Sequence, residues 1–310
     1  MLKRIFNSSF GQVLKCITLV LCLLTALQGQ CQTYTQADST YVVKLLKEGL
    51  KLQNKNSTKP NKRNATTQTP KSLMLFYGHK FLNVPYVAHT LEVNKKEKLV
   101  VNLHQMDCTT FVETVFALYL TTKEKSTQWA DYCCNLEKIR YRNGKNEGYG
   151  SRNHYFLWWA DNNKSKELVT LPLENANNNY YKLQNISINY MSTHSDAYSM
   201  LKNDKKAQKQ IAAYERESQG RQMRYIPRSF LNRSKAAIKY VEDGDILAIC
   251  TKKKGLDTTH IGIAEWDSDG RLHLLNASQI HKHVVLESMT LYDYMAKHPS
   301  QLGIWVIRPL

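Results

Sequence analysis

Residues 104–120, HQMDCTTFVETVFALYL, set a single cysteine directly before a run of apolar residues. Apolar side chains follow Cys108 three, four, seven, ten and eleven positions on, at Phe111, Val112, Val115, Leu118 and Tyr119. This is the spacing of one helix face, so it predicts a helix that begins at or beside the cysteine. A thiol there would lie near the positive end of the helix dipole and near unpaired backbone N–H groups, which we expect to lower its pKa.

Two helix starts fit the residues around the cysteine. Asp107 can cap a helix from the preceding position, whereas Thr110 and Glu113 form the T-x-x-E pattern of a capping box. Either start leaves Cys108 in or beside the first turn. The helix alone fits both a buried core cysteine and a nucleophile. A partner base close to the thiol would favour the nucleophile.

The composition is that of a globular protein with a strong positive charge. The chain has 310 residues, of which 42% are hydrophobic and 22% charged, and its formal net charge is +17. Such a charge can indicate nucleic-acid binding, but the lysines are scattered and no basic face is interleaved with aromatic residues. We therefore predict no nucleic-acid partner and an anionic surface or acidic peptide as the substrate. We also expect the protein to be a monomer.

The N-terminus has the pattern of a secretory signal. Lys3, Arg4 and Lys15 precede the apolar run CITLVLCLLTAL of residues 16–27, which is short for a membrane-spanning helix. We predict a signal peptide over residues 1–30 and a periplasmic or cell-envelope location. A retained membrane anchor is the alternative. Cleavage just before Cys31 would let that cysteine carry a lipid and tether the protein to a membrane, whereas cleavage after Gly29 would not.

The cysteines do not have the spacing of a zinc site. No C-x-x-C pair occurs, so we predict no metal. Disulfides can form in an oxidising compartment, but an odd number of cysteines leaves at least one thiol over. The five that follow the signal are Cys31, Cys108, Cys133, Cys134 and Cys250.

Helical patterns come first along the chain. Residues 38–52 predict a helix, and the polar residues 54–69 predict a mobile linker, so we divide the mature chain into an N-terminal segment, 31–69, and a main domain, 70–310. Residues 129–231 have mixed aromatic and polar stretches typical of a large insertion.

Strand patterns occupy the last eighty residues and predict an antiparallel sheet. Helices first and an antiparallel sheet last indicate an α+β fold. The predicted strands are residues 244–250, 260–266, 271–278 and 303–310.

Two of these strands are predicted to form a hairpin. The residues DSDG at 267–270 favour a type I turn followed by a left-handed Gly270, which pairs Asp267 with Arg271. A register shifted by one residue would turn every side chain to the other face of the sheet.

In the predicted register, His260 faces Ser278 and Asn276 faces Gly262. His260 and Asn276 are then diagonal neighbours within reach of a side-chain hydrogen bond. A cysteine nucleophile, a histidine base and an amide that orients the imidazole are the parts of papain-like thiol chemistry. The alternative is a structural histidine beside a structural asparagine.

Five stretches, PYVAHTLE, MDCTTFVE, GDILAI, THIGIA and LLNAS, resemble motifs of the NlpC-type superfamily of papain-fold peptidoglycan hydrolases. Four others, SRNHYFLWW, YIP, GLDTTHIG and GIWVIRP, resemble motifs of its N-acetylmuramoyl-L-alanine amidase-like branch. The resemblance covers about residues 70–310. It implies a papain-like fold in which N-terminal helices carry the cysteine and a C-terminal antiparallel sheet carries the histidine.

Matched position by position, the resemblance implies Cys108 as the nucleophile and His260 as the general base. Asn276 would orient the imidazole, at a position where the branch more often has histidine. The Tyr86 hydroxyl could join the Cys108 backbone N–H in binding an oxyanion, or Tyr86 could be a half-buried strand residue. Asp257 would shape the loop before the histidine.

The resemblance also implies residues that contact substrate. Arg152 could grip a peptide carboxylate, together with His154 and Tyr155 of the same motif, although these residues could equally be part of an aromatic core helix. Asp107 and Ser278 are further candidates beside the catalytic pair.

The implied reaction is hydrolysis of the amide between N-acetylmuramic acid and L-alanine, in peptidoglycan or its fragments, through a thioester and without a cofactor. One alternative is cleavage between D-glutamate and the third residue of the stem peptide. Another is a non-catalytic protein of the cell surface that binds the wall.

Overall fold

The computed structural model describes residues 33–57, 70–176 and 180–310. The predicted signal peptide, the lipid on Cys31 and residues 58–69 of the predicted linker lie outside the described residues. In the described ranges no helix is long and apolar enough to cross a membrane. The first helix runs to Ser57, five residues beyond the predicted end, so the linker prediction was wrong over Asn54–Ser57. Lys55 in the last turn suits the negative end of the helix dipole.

Eight α-helices lie within the described ranges. They are α1 Gln36–Ser57, α2 Pro70–His79, α3 Cys108–Lys123, α4 Trp129–Arg140, α5 Phe156–Ser165, α6 Tyr190–Thr193, α7 Lys205–Glu217 and α8 Leu291–Ala296.

Eight strands form one antiparallel sheet, in the order β2-β3-β8-β4-β5-β6-β7, with β1 also paired to β8. The strands are β1 Val169–Thr170, β2 Lys182–Asn185, β3 Gln222–Pro227, β4 Ile246–Thr251, β5 Thr258–Trp266, β6 Leu272–Ser278, β7 His283–Leu286 and β8 Gln301–Pro309.

Both faces of the central strands are buried. Along β4, Ile246 and Ala248 belong to a large apolar cluster with the helices, whereas Leu247 and Ile249 belong to a second cluster on the opposite face. Alternate side chains of a strand point to opposite faces, and a strand covered on both faces reads as a continuous apolar run. This explains the unbroken ILAIC stretch. Helix α3 lies within the larger cluster, with all its residues from Thr110 to Thr122 buried.

The mixed helix and antiparallel-sheet architecture confirms the predicted class in outline, and all four predicted strands are present. The span 129–231 holds α4 to α7 and β1 to β3. Part of it belongs to the main core, since Leu136 and Ile139 of α4 are fully buried in the larger cluster and β3 pairs with β8.

Among the described cysteines, Cys133 is disulfide-bonded. Cys108, Cys134 and Cys250 form no disulfide. The odd number of cysteines predicts at least one thiol that forms no disulfide, and Cys108 is such a thiol.

Candidate active site

Helix α3 begins at Cys108 because Asp107 caps it. The Asp107 carboxylate accepts the Thr110 backbone N–H at 2.8 Å, and the Thr110 hydroxyl oxygen accepts the Asp107 N–H at 2.9 Å. The capping box is therefore Asp107 with Thr110, and the alternative box of Thr110 with Glu113 was wrong. Glu113 instead points into the core, where its carboxylate accepts from Arg140 Nε at 2.6 Å.

The predicted hairpin register is confirmed. Asp267 donates its N–H to the Arg271 carbonyl at 3.0 Å, and Ile263 pairs with Leu275 across β5 and β6. Gly270 has the expected positive φ of 74°. The register brings His260 and Asn276 together, and His260 Nε2 lies 2.8 Å from Asn276 Oδ1.

A β-bulge precedes the histidine. Ile249 of β4 pairs with His260 and Cys250 pairs with Thr258, so Thr259 has no partner residue on β4. Bulges change the direction of a strand and re-aim the side chains beside them, and they are frequent next to active sites. We attribute the orientation of the imidazole to this bulge.

The amide of Asn276 is fixed by acceptors around its nitrogen. Nδ2 donates to the Leu274 carbonyl at 3.2 Å and to the Glu287 carboxylate at 3.2 Å. Because these partners only accept, the amide oxygen has to face His260, where it accepts the proton of Nε2. The neutral imidazole is then protonated on Nε2 and has the lone pair of Nδ1 available as a base.

Cys108 and His260 line the same cavity, which has a volume of about 270 Å³. The Cys108 sulfur interacts with the backbone of Ile261, the residue after the histidine, and with the backbone and hydroxyl of Thr109. The start of α3 and the start of β5 therefore meet at this cavity. Cys108 is half-buried and His260 is partly exposed, so both are open to the cavity.

The charge state of the thiol differs from the expected one. Burial, reinforced by the negative charge of Asp107, raises the pKa of Cys108 to about 12, and the hydrogen bonds from Ile261 and Thr109 offset only part of this rise. Burial also lowers the pKa of His260 below its usual 6.5, against an opposing contribution from Asn276. The expectation of a lowered thiol pKa was wrong because desolvation outweighs the stabilisation available at the helix start. The resting pair is a neutral thiol and a neutral imidazole.

This charge state predicts how Cys108 reacts with iodoacetamide. The alkylation rate should rise roughly tenfold per pH unit above about pH 8, because only the thiolate reacts. Asp107→Asn keeps a capping oxygen and removes the charge, so it should shift the profile to lower pH with little loss of stability. Asp107→Ala should lose about 1 kcal/mol of stability as well. A rate plateau near pH 6 in the wild type would contradict the neutral pair.

Tyr86 lies beside the segment that precedes the cysteine, but it is not among the residues that line the cavity. It forms a bridge with Met106, two residues before the cysteine, and donates its N–H to the Lys282 carbonyl at 2.8 Å. Burial raises the pKa of Tyr86 to about 12, with smaller contributions from Cys108 and Asp107. The hydroxyl is therefore protonated and able to donate a hydrogen bond near the sulfur.

The span 129–231 forms one wall of the cavity. His154 lines it and is uncharged, because burial and the nearby charge of Arg152 lower its pKa to about 3. His154 Nε2 lies 2.8 Å from the Tyr149 carbonyl, so Nε2 carries the proton and Nδ1 is an acceptor. Tyr155 also lines the cavity, but its hydroxyl donates to Glu215 at 2.6 Å and accepts the Met191 N–H.

Three predicted substrate contacts do not line this cavity. Arg152 donates from Nε and Nη2 to the Glu97 carboxylate, at 3.0 and 2.5 Å. Asp107 uses its carboxylate to cap α3, and the Ser278 hydroxyl, which is buried, accepts the His281 N–H at 3.2 Å. Each side chain is thus engaged inside the protein.

Asp257 joins the cavity wall to the histidine strand. One carboxylate oxygen accepts the Leu157 N–H at 2.7 Å and the other accepts the Thr258 N–H at 2.7 Å. Leu157 is in the first turn of α5, whose N-cap residue Tyr155 makes no side-chain cap, so Asp257 supplies the missing cap from across the cavity. The expected loop-shaping role is consistent with these contacts.

The sequence alone did not single out several residues of the wall. Asn153 and Thr259 lie inside the quoted motifs and would have been found as neighbours of Arg152 and His260. Both have a buried oxygen without a hydrogen-bond partner, Asn153 Oδ1 and Thr259 Oγ1. Glu92 and Tyr198 also line the cavity. Glu92 is the last residue of the quoted motif PYVAHTLE, whereas Tyr198 lies in no quoted motif. In the described part of the chain no three potential metal-binding side chains are grouped together.

Comparisons with known proteins agree with this architecture. The family model of N-acetylmuramoyl-L-alanine amidase-like proteins matches residues 76–304. The structure is similar to an N-acetylmuramoyl-L-alanine amidase from Bacteroides uniformis, with a TM-score of 0.72 and 36% identity, covering 78% of this chain and 99% of that one. No curated protein sequence matches the chain significantly.

Two further structures are similar. A Bacteroides fragilis protein, provisionally assigned as a xylanase, has a TM-score of 0.70 and 38% identity, covering 76% of this chain and 99% of that one. A Legionella pneumophila protein has a TM-score of 0.64 over 89% of this chain and 97% of that one, and its 20% identity shows the shared fold alone. Given the family match and the identity with the Bacteroides uniformis enzyme, the chain belongs to the N-acetylmuramoyl-L-alanine amidase-like family.

Proposed function

We propose that this protein is a cysteine amidase that hydrolyses the bond between N-acetylmuramic acid and L-alanine in peptidoglycan or its fragments. The observation that carries the proposal is the shared cavity of Cys108 and His260, with Asn276 bonded to the far nitrogen of the imidazole. The family and the Bacteroides uniformis amidase support the choice of substrate.

The first step is proton transfer from the Cys108 sulfur to His260 Nδ1 as the sulfur attacks the lactyl carbonyl carbon. The neutral resting pair requires the transfer to accompany the attack, because a thiolate is scarce beforehand. Asn276 Oδ1 holds the Nε2 proton and so keeps Nδ1 as the base. The new C–S bond forms while the carbonyl oxygen becomes an oxyanion.

The oxyanion needs donors that are already in place. The Cys108 backbone N–H, at the first position of α3, is one of those that a helix leaves unpaired. The Tyr86 hydroxyl, protonated and near the sulfur, is the second donor in this proposal.

The amide bond then breaks. His260 gives its proton to the leaving amine of L-alanine, and the stem peptide departs while the muramoyl group stays on Cys108 as a thioester. His260 next takes a proton from water, which attacks the thioester. The lactyl carboxylic acid leaves and the thiol is restored.

The cavity wall supplies acceptors for the substrate. Asn153 is 7% exposed and its Oδ1 has no hydrogen-bond partner. Thr259 is partly exposed, but its Oγ1 atom is buried and also has no hydrogen-bond partner. His154 Nδ1 is a third acceptor. A buried polar atom without a partner is costly, so we propose that N–H and O–H groups of the substrate satisfy these atoms. Arg152, bonded to Glu97 and 3.9 Å from Glu92, would act indirectly by holding Glu92 at the cavity.

We also propose that the protein is exported and acts in the cell envelope as a monomer. The N-terminal pattern supports export, and the disulfide of Cys133 suits an oxidising compartment. A lipid on Cys31 remains a proposal that intact mass measurement of the mature protein would test.

Digestion of a defined muropeptide tests the bond that is cut. Mass spectrometry of the products should show a free N-acetylmuramic acid unit and an intact stem peptide that begins with L-alanine. A sugar that retains an L-alanyl-D-glutamyl dipeptide would favour the alternative endopeptidase. Binding without any product would favour a wall-binding protein.

A further inference from the structure

The hydrogen-bond chain behind the imidazole continues past Asn276. Asn276 Nδ2 donates to Glu287 Oε1 at 3.2 Å, and His281 Nε2 lies 3.0 Å from Glu287 Oε2. A carboxylate only accepts, so His281 Nε2 carries a proton. The chain therefore runs from His260 through Asn276 and Glu287 to His281.

Glu287 is buried at the centre of this chain. Its side chain is 0% exposed, whereas that of His281 is 39% exposed. Within the described residues, no lysine or arginine forms an ion pair with it. Its backbone is held as well, since its N–H donates to the Leu274 carbonyl at 3.0 Å and its carbonyl lies 2.9 Å from His273 Nδ1. Its ion-pair partner is His281, which is charged only when protonated. A buried carboxylate without a permanent counter-charge is expensive, which indicates a role beyond packing.

We propose that Glu287 is a positioning residue of the amidase site. It fixes the Asn276 amide so that the oxygen faces His260, and its charge favours the imidazolium that forms when His260 takes the thiol proton. The inference rests on the proposed function, because it assigns a role in the same proton transfer.

The charged groups around His260 agree with the proposal that the negative charge of Glu287 raises the pKa of His260. The negative charges of Glu287 and Asp107 favour the imidazolium, whereas His298 opposes it. The Tyr294 ring of α8 stacks 6.4 Å from the imidazole and is neutral at physiological pH, because burial raises the pKa of Tyr294 to about 12. Glu287 thus offsets part of the desolvation that lowers the pKa of His260.

Glu287→Gln tests the proposal, because it keeps the shape and an accepting oxygen but removes the charge. We expect kcat to fall about tenfold with little change in KM, by analogy with the residues that orient metal-binding histidines. The acidic limb of the pH profile of kcat/KM should move to lower pH, because losing the negative charge lowers the pKa of His260. A purely structural defect predicts the opposite direction, since water that enters the site would raise that pKa toward 6.5.

Glu265→Gln is the matched control. Glu265 is on β5, the strand of His260, and also pairs with a histidine, His79 Nε2 at 2.8 Å, but it has no hydrogen bond to Asn276. This variant should retain the wild-type kcat and pH profile. Glu287→Asp is the second variant, which keeps the charge and shortens the reach to Asn276. It should lower kcat and leave the acidic limb near its wild-type position.

The outcomes separate this inference from the proposed function. Wild-type kcat in both Glu287 variants, or an acidic limb that moves to higher pH in Glu287→Gln, would overturn the positioning role. Either result would leave the amidase proposal intact as long as Cys108→Ala is inactive. Full activity in Cys108→Ala would overturn the amidase mechanism itself.

Discussion

Cys108→Ala is expected to lower the kcat for muropeptide hydrolysis by on the order of 10⁴-fold or more, because the nucleophile acts as a unit with its base and neither works alone. His260→Ala should have a comparable effect, and the double variant should be little worse than either single one. Initial rates of stem-peptide release, measured by chromatography at saturating substrate, check this.

Cys134→Ala is the control for this experiment. Cys134 is half-exposed on α4, forms no disulfide and does not line the cavity, so its loss should leave kcat unchanged. Additive losses in the Cys108 and His260 double variant would show that the two residues do not share one step.

The largest loss of stability is expected from Glu113→Ala. Glu113 and Arg140 are 3% and 2% exposed, and their side chains meet at 2.6 Å. Arg140 Nη1 also donates to the Val100 carbonyl at 2.7 Å, which ties α3 and α4 to the segment before the cysteine. Removing the glutamate leaves a buried, unpaired guanidinium, and the free energy of unfolding should fall by about 3–5 kcal/mol. Urea denaturation followed by circular dichroism measures this.

Glu48→Ala is the matched substitution for comparison. Glu48 on α1 pairs with Lys80 at 2.8 Å, but these side chains are 33% and 36% exposed, so the change should cost less than about 1 kcal/mol. Equal losses in the two variants would show that burial does not set the strength of the Glu113 pair.

The fold was predictable where local patterns decide the structure. Helix α3 follows from its apolar spacing and from Asp107, and the hairpin follows from the DSDG turn, because turn type fixes register. That register is enough to predict Asn276 beside His260. These features depend on residues close together in the sequence.

Other parts of the site depend on contacts between distant segments. Tyr198 lies in no quoted motif and meets Glu92 at one cavity only because the sheet and helices fold around it. Asp257 caps α5 from a hundred residues away. Arg152 matched a motif but pairs with Glu97, because a buried guanidinium requires a carboxylate partner.

The raised pKa of the Cys108 thiol could not be predicted from the sequence either, because it depends on the energetics of burial. A helix start favours a thiolate, and this tendency can be recognised from the sequence. The loss of water around the Cys108 sulfur in the folded protein cannot be recognised in this way, and this desolvation raises the pKa of Cys108 to about 12. The correction changes the mechanism from a preformed thiolate to a proton transfer that accompanies attack.

Partitioning with hydroxylamine tests the central claim most directly. Hydroxylamine competes with water for a thioester, so wild-type enzyme given a muropeptide and hydroxylamine should yield N-acetylmuramic acid whose lactyl group carries a hydroxamate, together with free stem peptide. The hydroxamate fraction should rise with hydroxylamine concentration, and Cys108→Ala should produce none. Carboxylic acid as the sole product at every hydroxylamine concentration, or a hydroxamate on a sugar-linked D-glutamate, would contradict the muramoyl thioester on Cys108.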